Sequence, residues 1–362
     1  MSQDNHVILT INPGSTSTKI AVFDNEQLRF EHKVDHPAEE LARFTNSMTE
    51  QFPMRREALL KCLDEKGVDL QSLSAVSGRG GKLPPLKQGA YAVNQEMFEF
   101  LRDRPIDDHA SNIGGMLAYD IAQKLGIPAY IYDAVVVDQL EDIARLSGLP
   151  EMKRRASCHV LNMRAVARRV AEREGKVFEQ CSFVVSHMGG GISACVLKNG
   201  RMIDVVTDEE GPYSPERSGG LPVRQLIDSA FSGEHNRLSL TRRTRGKGGL
   251  VAYLGTNNAL EVERRINEGD EQAALIYEGM AYQTAKILGG LTTVLYGELD
   301  GIIITGAVAY SKLLTKWIKD RISFLGPVFI EPGEDELQAL ALGALRVLRG
   351  QEKAHEFSIA HQ

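Results

Sequence analysis

Two short loops carry the residues best suited to binding phosphate. The first, "PGSTSTK" at residues 13–19, is rich in hydroxyl groups and lies between two apolar stretches. The second, "HMGGGIS" at residues 187–193, places three consecutive glycines in the same setting. Hydroxyl and backbone N–H groups can donate to phosphate oxygens, and glycine lets the backbone come close to them. The two loops together therefore predict a site that holds a polyphosphate from both sides.

A tight turn with no ligand is the alternative interpretation, and for a single glycine-rich loop it is the better one. The two loops are related, however: a shift of 175 positions places Asn12 on His187 and Gly14 on Gly189. Each copy reads as an apolar strand, a loop of small residues, a second apolar strand and a tight turn. Neither copy has the glycine spacing of the P-loop or of the dinucleotide-binding motif. We interpret the pair as the phosphate-binding loops of two duplicated domains.

The rest of the chain supplies elements that could position these loops. Apolar residues recur at helical spacing, and short apolar strands end in glycine, in both halves of the chain; these segments are residues 112–125 and 273–295 for helices, and 73–78 and 301–306 for strands. Strands interleaved with helices in both halves predict two α/β domains. Gly148 and Pro150 interrupt the helical pattern, so we expect one domain over residues 1–155 and a second over residues 156–336.

Composition narrows the class of protein. With 362 residues the chain is longer than a single hydrophobic core usually supports, so more than one domain is expected. Its 43% apolar and 25% charged residues are typical of a soluble globular protein. A net charge of -6 gives no reason to expect nucleic acid as a partner. No segment approaches the roughly 18 apolar residues of a membrane span, and the N-terminus lacks a signal pattern. We expect a cytoplasmic protein with no membrane partner, whose cysteines are reduced thiols: Cys62, Cys158, Cys181 and Cys195.

Several further motifs occur in a fixed order along the chain. They are "INPGSTSTK", "SGRGG", "DDHASNIGG", "IYDAVVVD", "RRASCH", "SHMGGGISA", "PERSGGLP", "ITGAVAYS" and "EPGEDELQALALGA". From Val7 to Leu348 the set resembles the acetate kinase and butyrate kinase family, and the butyrate kinases most closely. The resemblance implies an α/β fold of two duplicated actin-like ATPase (ribonuclease H-like) domains with a nucleotide cleft between them. It also implies that a C-terminal helix, residues 337–352, returns to the first domain.

The function implied by the resemblance is reversible transfer of a phosphoryl group from ATP to a short-chain carboxylate, with ATP/ADP and Mg²⁺ required. A carboxylic acid has a pKa of about 4.3 and is already ionised at neutral pH, so no general base is needed. The reaction instead needs positioned cations and donors around the phosphoryl group. A sugar or polyol kinase would need a base to activate a hydroxyl. That kinase and a non-catalytic nucleotide switch are the alternatives on the same fold.

The resemblance also assigns roles to individual residues. Arg79 and Arg217 would hold the carboxylate and the phosphoryl group, since a guanidinium can bind two oxygens at once. His159, supported by His109, would donate to the phosphoryl group, and Asp133 would orient this cluster. Glu336 is the carboxylate that we expect next to the metal, with Glu334 as the alternative. The nucleotide would be held by Asn12, Ser15, Ser17, Lys19, His187, Gly189, Gly190, Gly191 and Gly306.

Most of these residue types have a structural alternative. An arginine is most often a surface side chain, and a histidine next to a strand is more often structural than catalytic. Arg79 is the exception, because it follows an apolar strand directly, and side chains at strand ends commonly face a cleft.

Departures from the acetate kinase pattern indicate which carboxylic acid the protein would prefer as its substrate. The family has "RVVHGG" where this chain has "RGGK", and "FHGTSH" where it has "CHVLNM", so Gly81 and Cys158 replace a valine and a phenylalanine of the acyl pocket. Each added buried methylene contributes roughly 0.8 kcal/mol, which favours a four-carbon or branched acid. A further departure is Ala307, where the family has glycine.

We expect butyrate, and the sequence leaves the preferred acid open among butyrate, isobutyrate, isovalerate and propionate. An acetate kinase is a further alternative. The direction of the reaction in the cell and the choice of Mg²⁺ over Mn²⁺ also stay open. The resemblance implies a homodimer or a higher homo-oligomer.

Overall fold

The computed structural model describes residues 5–44 and 47–359. Contacts divide the chain into two compact units. Unit 1 comprises Met1–Asp138 and Asp335–Gln362, and unit 2 comprises Gln139–Glu334. Within the described residues, no helix combines the length and apolar character that a membrane crossing requires.

The strands in chain order are β1 (Val7–Pro13), β2 (Ser17–Asp24), β3 (Gln27–Asp35), β4 (Ala75–Gly78), β5 (Ala90–Ala92), β6 (Ala129–Tyr132), β7 (Ser182–Met188), β8 (Ile192–Lys198), β9 (Arg201–Val206), β10 (Gly301–Gly306), β11 (Val328–Pro332) and β12 (His355–Glu356). The α-helices are α1 (Ala38–Leu41), α2 (Phe52–Glu65), α3 (Gln95–Asp103), α4 (Asn112–Leu125), α5 (Val160–Arg173), α6 (Val223–Phe231), α7 (Arg237–Thr244), α8 (Gly249–Leu254), α9 (Ala259–Asn267), α10 (Glu271–Thr292), α11 (Lys312–Ile322) and α12 (Glu336–Leu348). The predicted helix at 112–125 and the predicted strand at 301–306 are confirmed to the residue.

Five adjacent strands have the same order in the two units. The sheet of unit 1 has the order β12-β5-β6-β4-β1-β2-β3, and that of unit 2 has the order β11-β10-β7-β8-β9. In both, three antiparallel strands form a meander, and the first of the three pairs with a strand parallel to it. Both meanders also carry a register shift in the second strand, at Val22/Phe23 and at Val196/Leu197. The duplication predicted from the two loops is therefore present in the backbone.

Unit 1 buries both faces of the central strands of its sheet. Leu9 and Ile11 of β1 pack with α2, α3 and α4 on one face. Ile8, the neighbour of Leu9, points to the other face and packs with Leu337 and Ala341 of α12. Successive side chains of a strand point to opposite faces, so the continuous apolar run of β1 is what a strand covered on both sides requires. The helix at the end of the chain therefore packs against the strand with which the chain begins.

Unit 2 packs its sheet in a similar way. Val184, Val196 and Ile304 form a core with Tyr277 and Met280 of α10, and α11 joins the same face. Helix α5 contacts β7 and β10. The turn that joins β8 to β9 has positive φ at both central residues, Asn199 and Gly200, as a two-residue hairpin turn of type I′ requires.

Residues 139–155 pack with unit 2, whereas the sequence pattern predicts a domain boundary at 155/156. The amide of Glu141 donates to the Ile203 carbonyl at 3.0 Å. The guanidinium of Arg154 donates to Asp204 Oδ1 at 3.2 Å and to the carbonyl of Val205. These contacts attach the segment to β9, and neither Gly148 nor Pro150 marks a change of unit.

Candidate functional site

The hydroxyl-rich loop of unit 1 joins β1 to β2. It is defined here as loop 1, from Gly14 to Ser17, and the amide of Gly14 donates to the Ser17 carbonyl at 2.7 Å. Ser15 is exposed and Ser17 is half-buried. Lys19 is exposed and pairs across the strands with Asn12. The loop therefore presents hydroxyl groups and one cation at the end of a strand pair.

A polar cluster lies at the ends of β1 and β4. Asn12 Nδ2 donates to Glu336 Oε2 at 2.6 Å, and Arg79 forms an ion pair with Glu336 Oε1. Arg79 follows β4 directly, and its amide donates to the Ile11 carbonyl at 2.8 Å. The Arg79 side chain is 11% exposed and that of Glu336, the first residue of α12, is 17% exposed. The structure thus brings together three candidate residues that lie in three different motifs of the sequence.

The glycines around Arg79 allow close packing. A Cβ at Gly78 would overlap the backbone of Gly114, at the start of α4, and a Cβ at Gly80 would overlap Ala134. The "SGRGG" motif therefore lets α4 approach the end of β4. This close approach fixes the backbone on both sides of Arg79.

The two residues proposed for the acyl pocket have different surroundings. A Cβ at Gly81 would lie 2.6 Å from Asn112 Oδ1 and 2.7 Å from Leu101 Cδ2, so the space of the missing side chain is already filled. Cys158 is buried in unit 2 with Sγ 3.5 Å from Met202 Sδ, and burial raises its pKa to about 12. These contacts lend the pocket assignment no support, and Gly81→Val would clash before it could narrow a pocket.

His109 and Asp133 also belong to unit 1. His109 is exposed, and its Nδ1 accepts from the Ser111 amide at 3.1 Å, which leaves the proton of a neutral ring on Nε2. Asp133 is buried directly after β6, and its Oδ1 accepts from the Gly89 amide at 2.8 Å. Asp133 also has a φ of 41°, a conformation that is uncommon outside glycine and is often found at functional sites.

The glycine loop of unit 2, defined here as loop 2 (residues 189–191), joins β7 to β8. The amide of Gly189 donates to the Gly191 carbonyl at 2.8 Å. The carbonyl of Gly190 accepts from Ser214 Oγ at 2.7 Å and from the Glu216 amide at 3.0 Å. The segment that contains "SPERSGG" therefore packs behind loop 2.

Gly306 lies at the base of the same loop. Its φ is 94°, and a Cβ at this position would overlap the backbone of Met188, the last residue before loop 2. Gly306 also exchanges two backbone hydrogen bonds with Gly333, at 3.2 and 3.0 Å. The end of β10 can approach loop 2 this closely only because residue 306 has no side chain.

A chain of hydrogen bonds orients His187. Thr305 Oγ1 donates to the Gly333 carbonyl at 3.2 Å, and Asn162 Nδ2 donates to Thr305 Oγ1 at 3.3 Å. Asn162 Nδ2 also lies 3.0 Å from His187 Nδ1, which in this arrangement accepts. His187 Nε2 then donates to Glu334 Oε1 at 3.0 Å. The buried ring of His187 is therefore held in one tautomer.

His159 stacks on His187. The ring centroids are 3.9 Å apart and the planes differ by 14°. His159 is exposed whereas His187 is buried, so the inner ring supports the outer one. His159 precedes α5 and Asn162 lies in its first turn, so one helix start carries both groups.

Arg217 is half-buried beside loop 2. Its Nε donates to Asp208 Oδ2 at 3.2 Å, and Nη1 lies 3.6 Å from Glu216 Oε2. A Cβ at Gly191 would lie 3.0 Å from Asp208 Oδ2, so Asp208 contacts the loop as well as the arginine.

Four of these supporting residues were not identified from the sequence: Asn162, Asp208, Ser214 and Glu216. Ser214 and Glu216 come shortly before Arg217 in the chain, so proximity to that motif was the available signal. Asn162 follows "RRASCH", which offered the same signal. Asp208 had none, because it begins a short acidic run, Asp208 to Glu210, and such a run in a loop is ordinarily solvent-exposed.

The protein side chains of the site suit a metal ion that is bound mainly through the phosphate oxygens of a nucleotide. No group of three or more His, Cys, Asp or Glu side chains in residues 5–44 and 47–359 is placed to hold a metal ion. Mg²⁺ with a nucleotide usually takes one or two protein carboxylates and completes its shell with phosphate oxygens and water. Glu336 offers one such carboxylate, held in place by Asn12 and Arg79.

Comparisons with known proteins agree with this architecture. The model of the acetokinase family matches residues 149–329, half of the chain. The crystal structure of acetate kinase from Porphyromonas gingivalis superposes with a TM-score of 0.76 at 18% identity, over 95% of this chain and 100% of that one. A propionate kinase from Francisella tularensis superposes with a TM-score of 0.72 at 17% sequence identity, over 93% of this chain and 98% of that one. An acetate kinase from Entamoeba histolytica superposes with a TM-score of 0.72 at 18% sequence identity, also over 93% of this chain and 98% of that one. The predicted two-domain actin-like ATPase fold is confirmed.

Proposed function

Because the chain belongs to the acetokinase family, we propose that it transfers the γ-phosphoryl group of ATP to a short-chain carboxylate, reversibly, and that the acid is butyrate. The observation that carries the proposal is the cluster of Asn12, Arg79 and Glu336 next to loop 1. It places a buried guanidinium and a carboxylate at the strand ends that adjoin a loop of phosphate-binding groups.

Butyrate is proposed because the ordered motifs resemble those of butyrate kinases most closely. Propionate, acetate and the branched acids are the nearest alternatives, and a measured acid preference decides among them.

In the proposed reaction the acid is ionised, so its carboxylate oxygen attacks the γ-phosphorus and the bond from that phosphorus to the β,γ-bridging oxygen breaks. The products are the acyl phosphate and ADP, and no proton is transferred. The barrier is the approach of one anion to another. Arg79 and Arg217 lower it by binding carboxylate and phosphoryl oxygens, and their partners Glu336 and Asp208 hold the guanidinium groups in place.

The histidines act as donors. Hydrogen bonding by Ser111 leaves the His109 proton on Nε2, from which it can be donated to a phosphoryl oxygen. The stack on His187 fixes the ring plane of His159, and Asn162 with Glu334 fixes His187 in turn. A donor held in place before the reaction costs little reorganisation in the transition state.

Glu336, or alternatively Glu334, would hold a Mg²⁺ ion that neutralises charge on the phosphates of the nucleotide. His187 with loop 2, and Asn12 with loop 1, would bind those phosphates. Gly306 would permit the close backbone approach at the base of loop 2.

The proposal is tested by trapping acyl phosphate as a hydroxamate. Purified protein is incubated with ATP, Mg²⁺ and hydroxylamine and one of acetate, propionate, butyrate, isobutyrate or glycerol. We expect hydroxamate from the acids, with the highest kcat/KM for butyrate, and none from glycerol. Arg79→Ala should lose at least about a hundredfold in kcat/KM, and Arg29→Ala, which removes an exposed arginine paired with Asp24, serves as the matched control.

Three outcomes count against the proposal. Highest activity with acetate or propionate would correct the acid and leave the reaction class intact. Full activity in Arg79→Ala would remove the cluster from the mechanism. No hydroxamate from any acid, with ATP consumed when glycerol is added, would favour a polyol kinase.

A further inference from the structure

Arg55 is fully buried, with 0% of its surface exposed, and lies on α2 behind loop 1. Its guanidinium donates to the carbonyls of Gly14 at 2.8 Å, Ser15 at 2.9 Å and Ser17 at 3.2 Å. It also donates to Gln51 Oε1 at 2.8 and 3.0 Å and to Thr18 Oγ1 at 3.2 Å. Every one of these acceptors is neutral.

The carbonyl of Thr16, which Arg55 does not reach, accepts from the His36 amide at 2.9 Å. All four carbonyls of loop 1, residues 14–17, therefore have donors within the protein. In the described part of the chain, the amides of Ser15 and Thr16 have no hydrogen-bond acceptor, and both residues are exposed. The carbonyl groups of the loop are therefore engaged inside the protein, whereas two of its amide N–H groups are available to solvent. Available N–H donors are what the binding of an anion requires.

Arg55 also brings a positive charge. No carboxylate of residues 5–44 and 47–359 forms an ion pair with it. Burial lowers its pKa to about 10, so the group stays protonated at neutral pH. A buried arginine is normally paired, because desolvation of its charge is costly. A charge buried without an acidic partner, and directed at a loop, is stabilised when an anion binds to that loop.

We propose that Arg55 is a positioning residue for the phosphate chain of the nucleotide. It holds the carbonyls of loop 1 away from the ligand, presents the amides of Ser15 and Thr16 to phosphate oxygens, and provides a fixed charge behind them. The inference rests on the proposed function, since it takes the polyphosphate of ATP as the ligand of loop 1. The residue acts through the loop and does not itself touch the reacting atoms.

The test compares Arg55→Met and Arg55→Lys with wild type by isothermal titration with ATP and with AMP. Arg55→Met should weaken ATP binding by about tenfold to a hundredfold, the range expected for lost hydrogen bonds to a charged group. Arg55→Lys keeps the charge and loses the fork of donors, so its Kd should lie between those of wild type and Arg55→Met. AMP binding should change by less than about twofold, because AMP lacks the phosphates that would reach loop 1.

Steady-state kinetics provide the second measurement. The KM for ATP should rise in both variants while the KM for butyrate at saturating ATP is unchanged. A purely structural role would lower the amount of active enzyme and leave both KM values alone. Arg56→Met is the matched control: Arg56 is the next residue on α2, pairs with Asp120, and makes no hydrogen bond to loop 1, so its ATP affinity should equal that of wild type.

An unchanged Kd for ATP in folded Arg55→Met overturns the inference, as does an equal loss of ATP and AMP affinity. If Arg55→Met fails to fold, Arg55→Lys decides on the same criteria. A wild type that binds ATP but forms no acyl phosphate defeats the proposed function alone, and the Kd comparison still judges Arg55. A wild type that binds no ATP overturns both.

Discussion

Loops 1 and 2 occupy the same place in a repeated topology, yet they are held in different ways. Loop 1 is held from behind by a buried cation, Arg55, which binds three of its carbonyls. Loop 2 is held by neutral donors, since the Gly190 carbonyl accepts from the Ser214 hydroxyl and the Glu216 amide. Its charged neighbours Asp208 and Glu216 are acidic, and both pair with Arg217.

The difference shows that the backbone repeat does not dictate how charge is distributed. In unit 1 the charge directly behind the loop, that of Arg55, is buried and fixed. In unit 2 the positive charge beside the loop is on Arg217, which is half-buried and held by two carboxylates. A fixed buried charge suits steady binding of the nucleotide, whereas a more accessible guanidinium suits contact with a group that moves during the reaction. The following predictions test this division of labour, from the largest effect to the smallest.

The largest effect should come from Arg217. Arg217→Ala should reduce kcat by about a thousandfold, with a much smaller change in ATP affinity, because the contact is proposed to strengthen in the transition state. Initial rates of hydroxamate formation and titration with ATP measure the two quantities. Arg224→Ala, an exposed arginine on α6, is the control and should keep wild-type activity. A loss confined to ATP affinity would show that both arginines serve nucleotide binding, and the contrast with Arg55 would disappear.

The next effect concerns the backbone at the base of loop 2. Gly306→Ala should lower the free energy of unfolding by at least about 2 kcal/mol, because alanine must adopt a φ of 94° and its Cβ would overlap Met188. Gly14→Ala in loop 1 should change it by less than about 0.5 kcal/mol, because the nearest atom to the added Cβ would be 3.5 Å away. Denaturant titrations of the two variants compare them directly. Equal losses would mean that the two loops tolerate added atoms alike.

A smaller effect is expected from the hydroxyl behind loop 2. Ser214→Ala removes one of the two donors to the Gly190 carbonyl and an acceptor for the Arg217 amide, so the KM for ATP should rise about fivefold. Ser218→Ala is the control, because within the part of the chain that the structure describes its hydroxyl donates only to the adjacent Gly219 carbonyl. A rise as large as that in Arg55→Met would contradict the view that loop 2 is held by weaker, neutral contacts.

The last prediction concerns a pH dependence of stability in unit 1. Burial, with a contribution from the Arg55 charge, lowers the pKa of His36 to about 4, while nearby Asp35 raises it slightly. The folded state therefore keeps His36 neutral, and its contribution to stability is present above the unfolded pKa of about 6.5 and is lost as the pH falls toward 4. Unfolding midpoints at pH 7 and pH 5 should differ more in wild type than in His36→Gln. An identical difference in both proteins would exclude His36 as the cause.

Much of the fold was predictable because it depends on local patterns. The apolar runs of β1 and β7 and the helical spacing of α4 need no tertiary information. The repeated loops indicated the duplication, which the strand orders confirm. The boundary was less predictable: residues 139–155 join unit 2 through hydrogen bonds of Glu141 and Arg154, which no local pattern reveals.

The site was predictable where a motif marked it and not where a partner came from a distant segment. Asn12, Arg79 and Glu336 each lie in a recognisable motif, and the structure joins them. Arg55 lies in "PMRREALLK", and a pair of arginines on a helix is typical of a solvent-exposed face. Only the fold shows that one of the two arginines is buried. Gly81 is a case in which the sequence was misleading. The missing side chain suggested open space, but Leu101 and Asn112 fill that space.

The central claim is that an ionised carboxylate takes the γ-phosphoryl group of ATP, and an oxygen label tests it most directly. Butyrate carrying ¹⁸O in both carboxyl oxygens is incubated with ATP and Mg²⁺, and the products are followed by ³¹P NMR. The account predicts an acyl phosphate whose phosphorus bears one ¹⁸O, with ADP as the nucleotide product. Release of unlabelled inorganic phosphate and ADP at a rate that does not depend on butyrate would contradict it.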